Sequence, residues 1–289
     1  MQEVRPFLKL LAIVFASAIG AMIGIELVDL EPSLPFSFNR TPEVALSPGC
    51  NVLGIQVHGM IVSTHAMISP SDTISPADAS STARSHNYAI ASDVEDILRY
   101  TSTDPNIKAL IVDVDSSGGG AEAGTEIAAA IKKFGRPSVS VIHETGASSG
   151  YLAAAAADTV FANEESTVGS IGATSSFITQ VEKNKKEGYV YEQLSSGPFK
   201  DTFSPDKPLT AAERSLIMRD IKISRDNFVQ LVAKYRNKPF EAIDALADGS
   251  TMLGKQALDA GLIDRFGGTW DAIDYLSEKL GEEASVCWQ

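Results

Sequence analysis

The sequence predicts an α/β domain built from parallel β-α units, with a helical C-terminal part and one membrane-spanning helix ahead of it. Two observations carry the domain. Between residues 89 and 162 short β-branched runs alternate with helical stretches, and the strand runs end in small residues rich in glycine and serine. A third observation carries the helix ahead of it, since residues 10–25 are an unbroken apolar run.

The chain has 289 residues, 44% of them hydrophobic, which is enough for one large core. Its net charge of -13 argues against electrostatic capture of nucleic acid or anionic lipid.

Taken in order, residues 1–30 read as an anchor. Arg5 and Lys9 precede the apolar run, while Glu26, Asp29 and Glu31 follow it. That bias puts the N-terminus inside and the body outside the cytoplasm, on a single-pass protein of the cell's inner (plasma) membrane. Ala16-Ser-Ala18 resembles a signal-peptide cleavage site, but cutting there would leave only residues 10–15 as the apolar region, so an uncleaved anchor is expected. Residues 31–50, rich in proline and serine, read as a linker. A globular domain is expected over 51–289, beginning with the alternating strand from Asn51. Within it, residues 63–88 show no period and are expected to be a flexible insertion.

The regular part then reads as a helix over 90–100, a strand over 107–114, a helix over 121–134, a strand over 138–143, a helix over 148–157 and a short strand over 159–162. Ligands are expected beyond the C-terminal ends of such strands. Residues 168–173 form a small-residue turn, 178–187 a helix, 189–194 a strand and 195–201 a loop carrying Lys200. A long helix is expected over 211–235 and shorter ones over 240–247, 254–260 and 270–280.

The chemistry centres on Gly146-Ala-Ser-Ser-Gly150, a G-x-S-x-G pattern at a strand-to-helix corner. Small neighbours let a nucleophilic serine occupy such a turn with its Oγ exposed, although a plain tight helix start has the same composition. All four histidines, His58, His65, His86 and His143, precede Ser148. The α/β-hydrolase order therefore does not fit, and the chymotrypsin order would need an all-β barrel. A base other than histidine is expected, and a lysine kept neutral by burial is the usual substitute. Ser204-Pro-Asp-Lys207 matches S-x-x-K, but Pro205 argues against the helix that this motif needs.

Gly118-Gly-Gly120 follows a buried strand without a phosphate-binding motif, so adjacent N–H groups here suit an oxyanion hole or a plain turn. No metal-ligand spacing and no cofactor motif appears. Cys50 and Cys287 lie far apart and suggest neither a zinc site nor a disulfide framework, leaving one bond between them open.

Together, Ser116-Ser-Gly-Gly-Gly120, Gly146-Ala-Ser-Ser-Gly-Tyr151, Ala155-Ala-Ala-Asp158, Thr167-Val-Gly-Ser-Ile-Gly172 and Ser196-Gly-Pro-Phe-Lys-Asp201 resemble, in order and spacing, the signal peptide peptidase A family, in its short, single-domain, membrane-anchored form. The resemblance implies a Clp protease/crotonase-like spiral of β-α units and a serine endopeptidase. Its nucleophile falls on Ser148, its lysine base on Lys200, and its oxyanion donors on the N–H groups of Gly119 and Ser149. It also implies a homo-oligomeric ring, in which serine and lysine come from one chain or from adjacent ones. The implied substrates are unfolded or membrane-derived peptides such as signal-peptide remnants. The sequence departs from the family pattern at Ser117, where proline is usual, and at Ser149, where glycine is usual. Phe199 and Phe203 are expected to give Lys200 apolar cover, with Ser195, Ser196 or Thr202 orienting its ammonium. The rival readings are a catalytically silent peptidase-like membrane scaffold, a crotonase-type acyl-CoA enzyme, and a relative of phage capsid-maturation proteases.

Overall fold

The computed structural model describes residues 49–67 and 88–289. The anchor expected over 1–30, nearly all of the linker and most of the insertion expected over 63–88 lie outside the described residues. Among the described residues no helix is long and apolar enough to cross a membrane.

The domain opens with strand β1 (Val52–Val62), a 3-10 turn (His65–Met67), β2 (Tyr88–Ile90) and α1 (Ala91–Thr101). Then come β3 (Ala109–Gly119), α2 (Ala121–Phe134), β4 (Ser138–Ala147), α3 (Ser149–Ala155), β5 (Thr159–Ala162) and β6 (Thr167–Gly169). These strands form the predicted parallel sheet, in the order β2-β1-β3-β4-β5, with β6 paired to the end of β4. The β-branched content of β3 and β4 suits strands covered on both faces.

Side-chain alternation divides the sheet between two cores. Leu53, Ile55, Val57, Leu110, Val112, Val114 and Ile142 join Ile127 and Ile131 of α2 and the alanines of α3 in the larger one. Val52, Ala109, Ile111, Val139, Val141 and Phe161 face Ala272 and Leu276 of a C-terminal helix in the smaller one.

The rest of the chain supplies α4 (Val181–Glu187), α5 (Ala211–Tyr235), α6 (Phe240–Asp244), β7 (Thr251–Leu253), α7 (Gly254–Ala260), β8 (Arg265–Phe266), α8 (Thr269–Leu280) and β9 (Val286–Trp288). Helix α5 starts on a capping box, with the Thr210 hydroxyl accepting the Glu213 N–H and the Glu213 carboxylate accepting the Thr210 N–H. Its last turns bury Val229, Val232 and Ala233. The expected strand over 189–194 is absent: Val190 and Leu194 are each 91% exposed, and the stretch has no strand partner among the described residues.

Strand β9 returns to pair with β1, Leu53 opposite Cys287, and a disulfide joins Cys287 to Cys50 with the Cα atoms 5.8 Å apart. The bond left open by the sequence is thus formed, because the last strand docks beside the first.

Candidate active site

Strand β4 delivers Ser148. Its last residues pair with β6, Gly146 opposite Val168 and Ala147 opposite Gly169, and the Ser148 N–H donates to the Gly169 carbonyl at 2.8 Å. Ser148 has φ 53° and ψ -127°, a backbone region costly for a residue with a β-carbon. The chain leaves it directly into α3, with the Leu152 N–H donating to the Ser148 carbonyl at 3.0 Å.

Strand β3 delivers the glycines. The Ser116 hydroxyl donates to the Gly59 carbonyl at 2.6 Å and accepts the Gly118 N–H at 3.1 Å, fixing the bend between β3 and β1. Gly118 lies against the serine with φ +107°, and a β-carbon there would stand 3.1 Å from Ser148 Oγ. The Gly120 N–H is taken by the Ile61 carbonyl at 2.9 Å.

Gly119, Ser148 and Ser149 together line a cleft of about 1090 Å³ that runs on past Ser170 and Leu152 to Phe228 of α5. The two neighbouring serines are distinct. Ser148 is partly exposed, whereas Ser149 is 4% exposed and its hydroxyl donates to the Gly120 carbonyl at 3.1 Å. Burial and that engagement mark Ser148 as the hydroxyl open to a substrate.

Lys200 is not brought to this cleft. It is exposed and absent from the cleft lining, on the irregular stretch between α4 and α5. Its neighbours are firmly held: Asp201 accepts the Tyr191 Oη–H and the Gln193 Nε2–H, each at 2.8 Å, and the Thr202 hydroxyl donates to Glu213 at 3.3 Å. The expected apolar cover does not form within one chain. Phe199 and Phe203 are each 45% exposed, and the Phe203 ring packs edge-on against Phe177. Ser195 donates to the Gly197 carbonyl at 2.8 Å, so it and Thr202 are spent on other acceptors.

Lys207, the lysine of the rival S-x-x-K, lies in a turn rather than a helix. Its ammonium is 2.5 Å from Glu213, which is 1% exposed, and this bond raises the lysine's pKa and pulls that of Glu213 down to about 2. A lysine so paired stays charged and is no base.

A second polar cluster, unread in the sequence, joins β1, β3 and β4. Asp113 Oδ1 sits 3.1 Å from His58 Nε2 and 2.8 Å from His143 Nε2, while Asp115 accepts the Thr145 N–H at 3.0 Å. The hydrogen bond to Asp113 raises the pKa of His58 against the opposing effect of burial. Among the described residues no group of histidine, cysteine or acid side chains is arranged to hold a metal ion. The residues are far apart in sequence, and only the register of β1, β3 and β4 brings them together.

Residues 130–282 match the model of peptidase family S49. The chain is 37% identical over 193 residues to a putative signal peptide peptidase SppA of Enterococcus faecium, covering 65% of this chain and 56% of that protein. It is 29% identical over 196 residues to Protease 4 of Haemophilus influenzae, covering 67% of this chain and 32% of that one. Capsid assembly protease C of Escherichia phage lambda is 25% identical over 191 residues, covering 65% of this chain and 43% of that protein. Among solved structures, a ClpP1 mutant from Listeria monocytogenes superposes with a TM-score of 0.48 at 16% identity, covering 75% of this chain and 92% of that one. The chain thus spans little over half the length of the first of these relatives and about a third of the second.

Proposed function

The chain belongs to peptidase family S49, and from that premise we propose that it is a serine endopeptidase with Ser148 as nucleophile and Lys200 as base. The observation that carries this reading is the strained Ser148 corner, pressed against Gly118 in an open cleft. Backbone strain at a partly exposed serine is the kind of feature that folding alone does not require.

The reaction runs as acyl transfer. The Lys200 amine takes the Ser148 proton while Oγ bonds to the peptide carbonyl carbon, whose oxygen takes up the negative charge. The Gly119 and Ser149 N–H groups receive that oxyanion. Support for Gly119 comes from its neighbours: the Gly118 and Gly120 N–H groups are already engaged, and strand alternation turns the one between them toward β4. The C–N bond then breaks, Lys200 returns the proton to the leaving amine, and water hydrolyses the acyl ester.

Lys200 reaches a Ser148 in a neighbouring copy of the chain. Its exposure outside its own cleft supports this, as do the exposed apolar residues shortly before it in sequence, Val190 and Leu194 foremost. The active species is therefore a ring of copies with a Clp protease/crotonase-like subunit. The body stands outside the cytoplasm, tethered by residues 10–25, and the Cys50–Cys287 disulfide fits an oxidising compartment. Unfolded or membrane-derived peptides such as signal-peptide remnants are its substrates.

The test is hydrolysis of an unfolded protein by the full-length chain, beside labelling by a fluorophosphonate. Cleavage and labelling lost together in Ser148→Ala, with cleavage lost in Lys200→Ala, support the reading. A wild-type chain that assembles but neither cleaves nor labels sinks it and leaves a silent scaffold.

A further inference from the structure

We propose that Ser149 is a positioning residue whose hydroxyl braces the glycine loop, carrying one oxyanion donor, against the helix that carries the other. The proposal rests on the serine-peptidase reading above and adds a part to that site.

The Ser149 side chain is almost wholly buried, with Oγ 3.1 Å from the Gly120 carbonyl and 3.5 Å from that of Gly119. A hydroxyl has one proton to give, and the shorter contact takes it. The Gly120 carbonyl also accepts the Gly124 N–H at 3.0 Å, and the Gly120 N–H donates to Ile61 at 2.9 Å. This one residue is therefore tied to β1 through its N–H, and to α2 and, through Ser149, to α3 through its carbonyl. It follows immediately on Gly119, whose N–H is the proposed donor from the loop. Ser149 is the first residue of α3, and its own N–H is the second donor. The Ser149 side chain thus adds a direct link between the segments that carry the two donors.

Space for that side chain comes from α2. A β-carbon on Gly124 would lie 2.6 Å from Ser149 Cβ, so the hydroxyl bears on the loop only because position 124 carries no side chain. Ser149 Oγ itself meets no reacting atom. Its effect passes through the geometry of the N–H pair, and a donor misplaced by a fraction of an ångström stabilises the charged transition state less than the bound substrate.

The experiment compares two inhibitors on the full-length wild-type and Ser149→Ala chains. A peptide boronic acid forms a tetrahedral adduct on Ser148 and places an oxygen between the donors. A peptide of the same sequence with a reduced CH₂–NH bond binds the cleft without that oxygen. The expected result is that boronate affinity and kcat/KM fall together by about tenfold, the scale of one lost neutral hydrogen bond. The reduced peptide should bind within about twofold of wild type. Should Ser149→Ala fail to fold, Ser149→Cys, with a weaker donor, carries the same comparison and should show a smaller loss of the boronate alone.

Wild-type boronate affinity in the variant overturns the brace, and so do equal losses for both inhibitors, which would mean general damage. A wild-type chain that neither cleaves peptide nor takes the boronate overturns the peptidase reading and the brace with it. Failure of the brace alone requires an active wild type.

Discussion

Gly118 and Ser148 approach so closely that a β-carbon on the glycine would stand 2.7 Å from the serine's own Cβ. Two strands therefore meet at the candidate nucleophile with no room for a methyl group. Gly118→Ala should destabilise the domain by roughly 1–3 kcal/mol from backbone strain alone at φ +107°. It should also cut kcat by more than about a hundredfold, because relief of the clash moves Ser148 or the oxyanion loop. Denaturant unfolding and peptide hydrolysis on one preparation check both.

Ser148→Ala and Lys200→Ala chains should each be inactive yet regain activity when mixed before assembly. If a lysine serves its neighbour's serine, about a quarter of the sites in a random mixture hold both wild-type residues. Recovery near that level supports a dyad between copies. No recovery from chains that demonstrably co-assemble places the dyad within one chain.

His58 links stability to pH. Asp113 raises its pKa above the ordinary 6.5, so the pair's stabilisation is fully present below 6.5 and is lost as pH rises through the folded value. The groups around it, Asp113, Asp115 and His143, leave that sign unchanged, since both acids favour the charged imidazole. His58→Gln should lower Tm at pH 6 and change it little at pH 9, as thermal melts across that range would show.

Glu213 acts at the opposite end of the scale. Its carboxylate is held down to about 2 by Lys207 and by the Thr210 N–H, so its contribution is present above the ordinary 4.5 and is lost as pH falls through about 2. Glu213→Gln should lower Tm at neutral pH and flatten the acid limb of the stability curve. Limited proteolysis between residues 189 and 210 should speed up as well, since the same carboxylate accepts from Thr202 and Lys207. An unchanged cleavage rate there would show that the stretch around Lys200 is held by other contacts.

Local pattern made much of the fold legible. Helices α2, α5 and α7 and strand β5 fall where periodicity and turn residues put them, because each is decided by its own apolar face and caps. The short strands β2, β7, β8 and β9 were not readable, for each exists only through a partner strand distant in sequence. Residues 189–194 erred the other way: β-forming residues are present, but among the described residues no strand pairs with them.

The corner at Ser148 and the glycines beside it were legible from small-residue composition. Three features were not: the pairing of two cysteines 237 residues apart, the meeting of His58 and His143 on Asp113, and the separation of Lys200 from the cleft. Each is a matter of strand register or loop path, and spacing along the chain carries no record of it.

The disulfide makes everything from Cys50 to Cys287 a closed covalent circle. A single cut inside it, for example in the exposed stretch around Lys200, would release no fragment. Such a nicked molecule would run as one piece on a denaturing gel without reductant and as two with it, so damage or self-cleavage within the domain would be visible only after reduction.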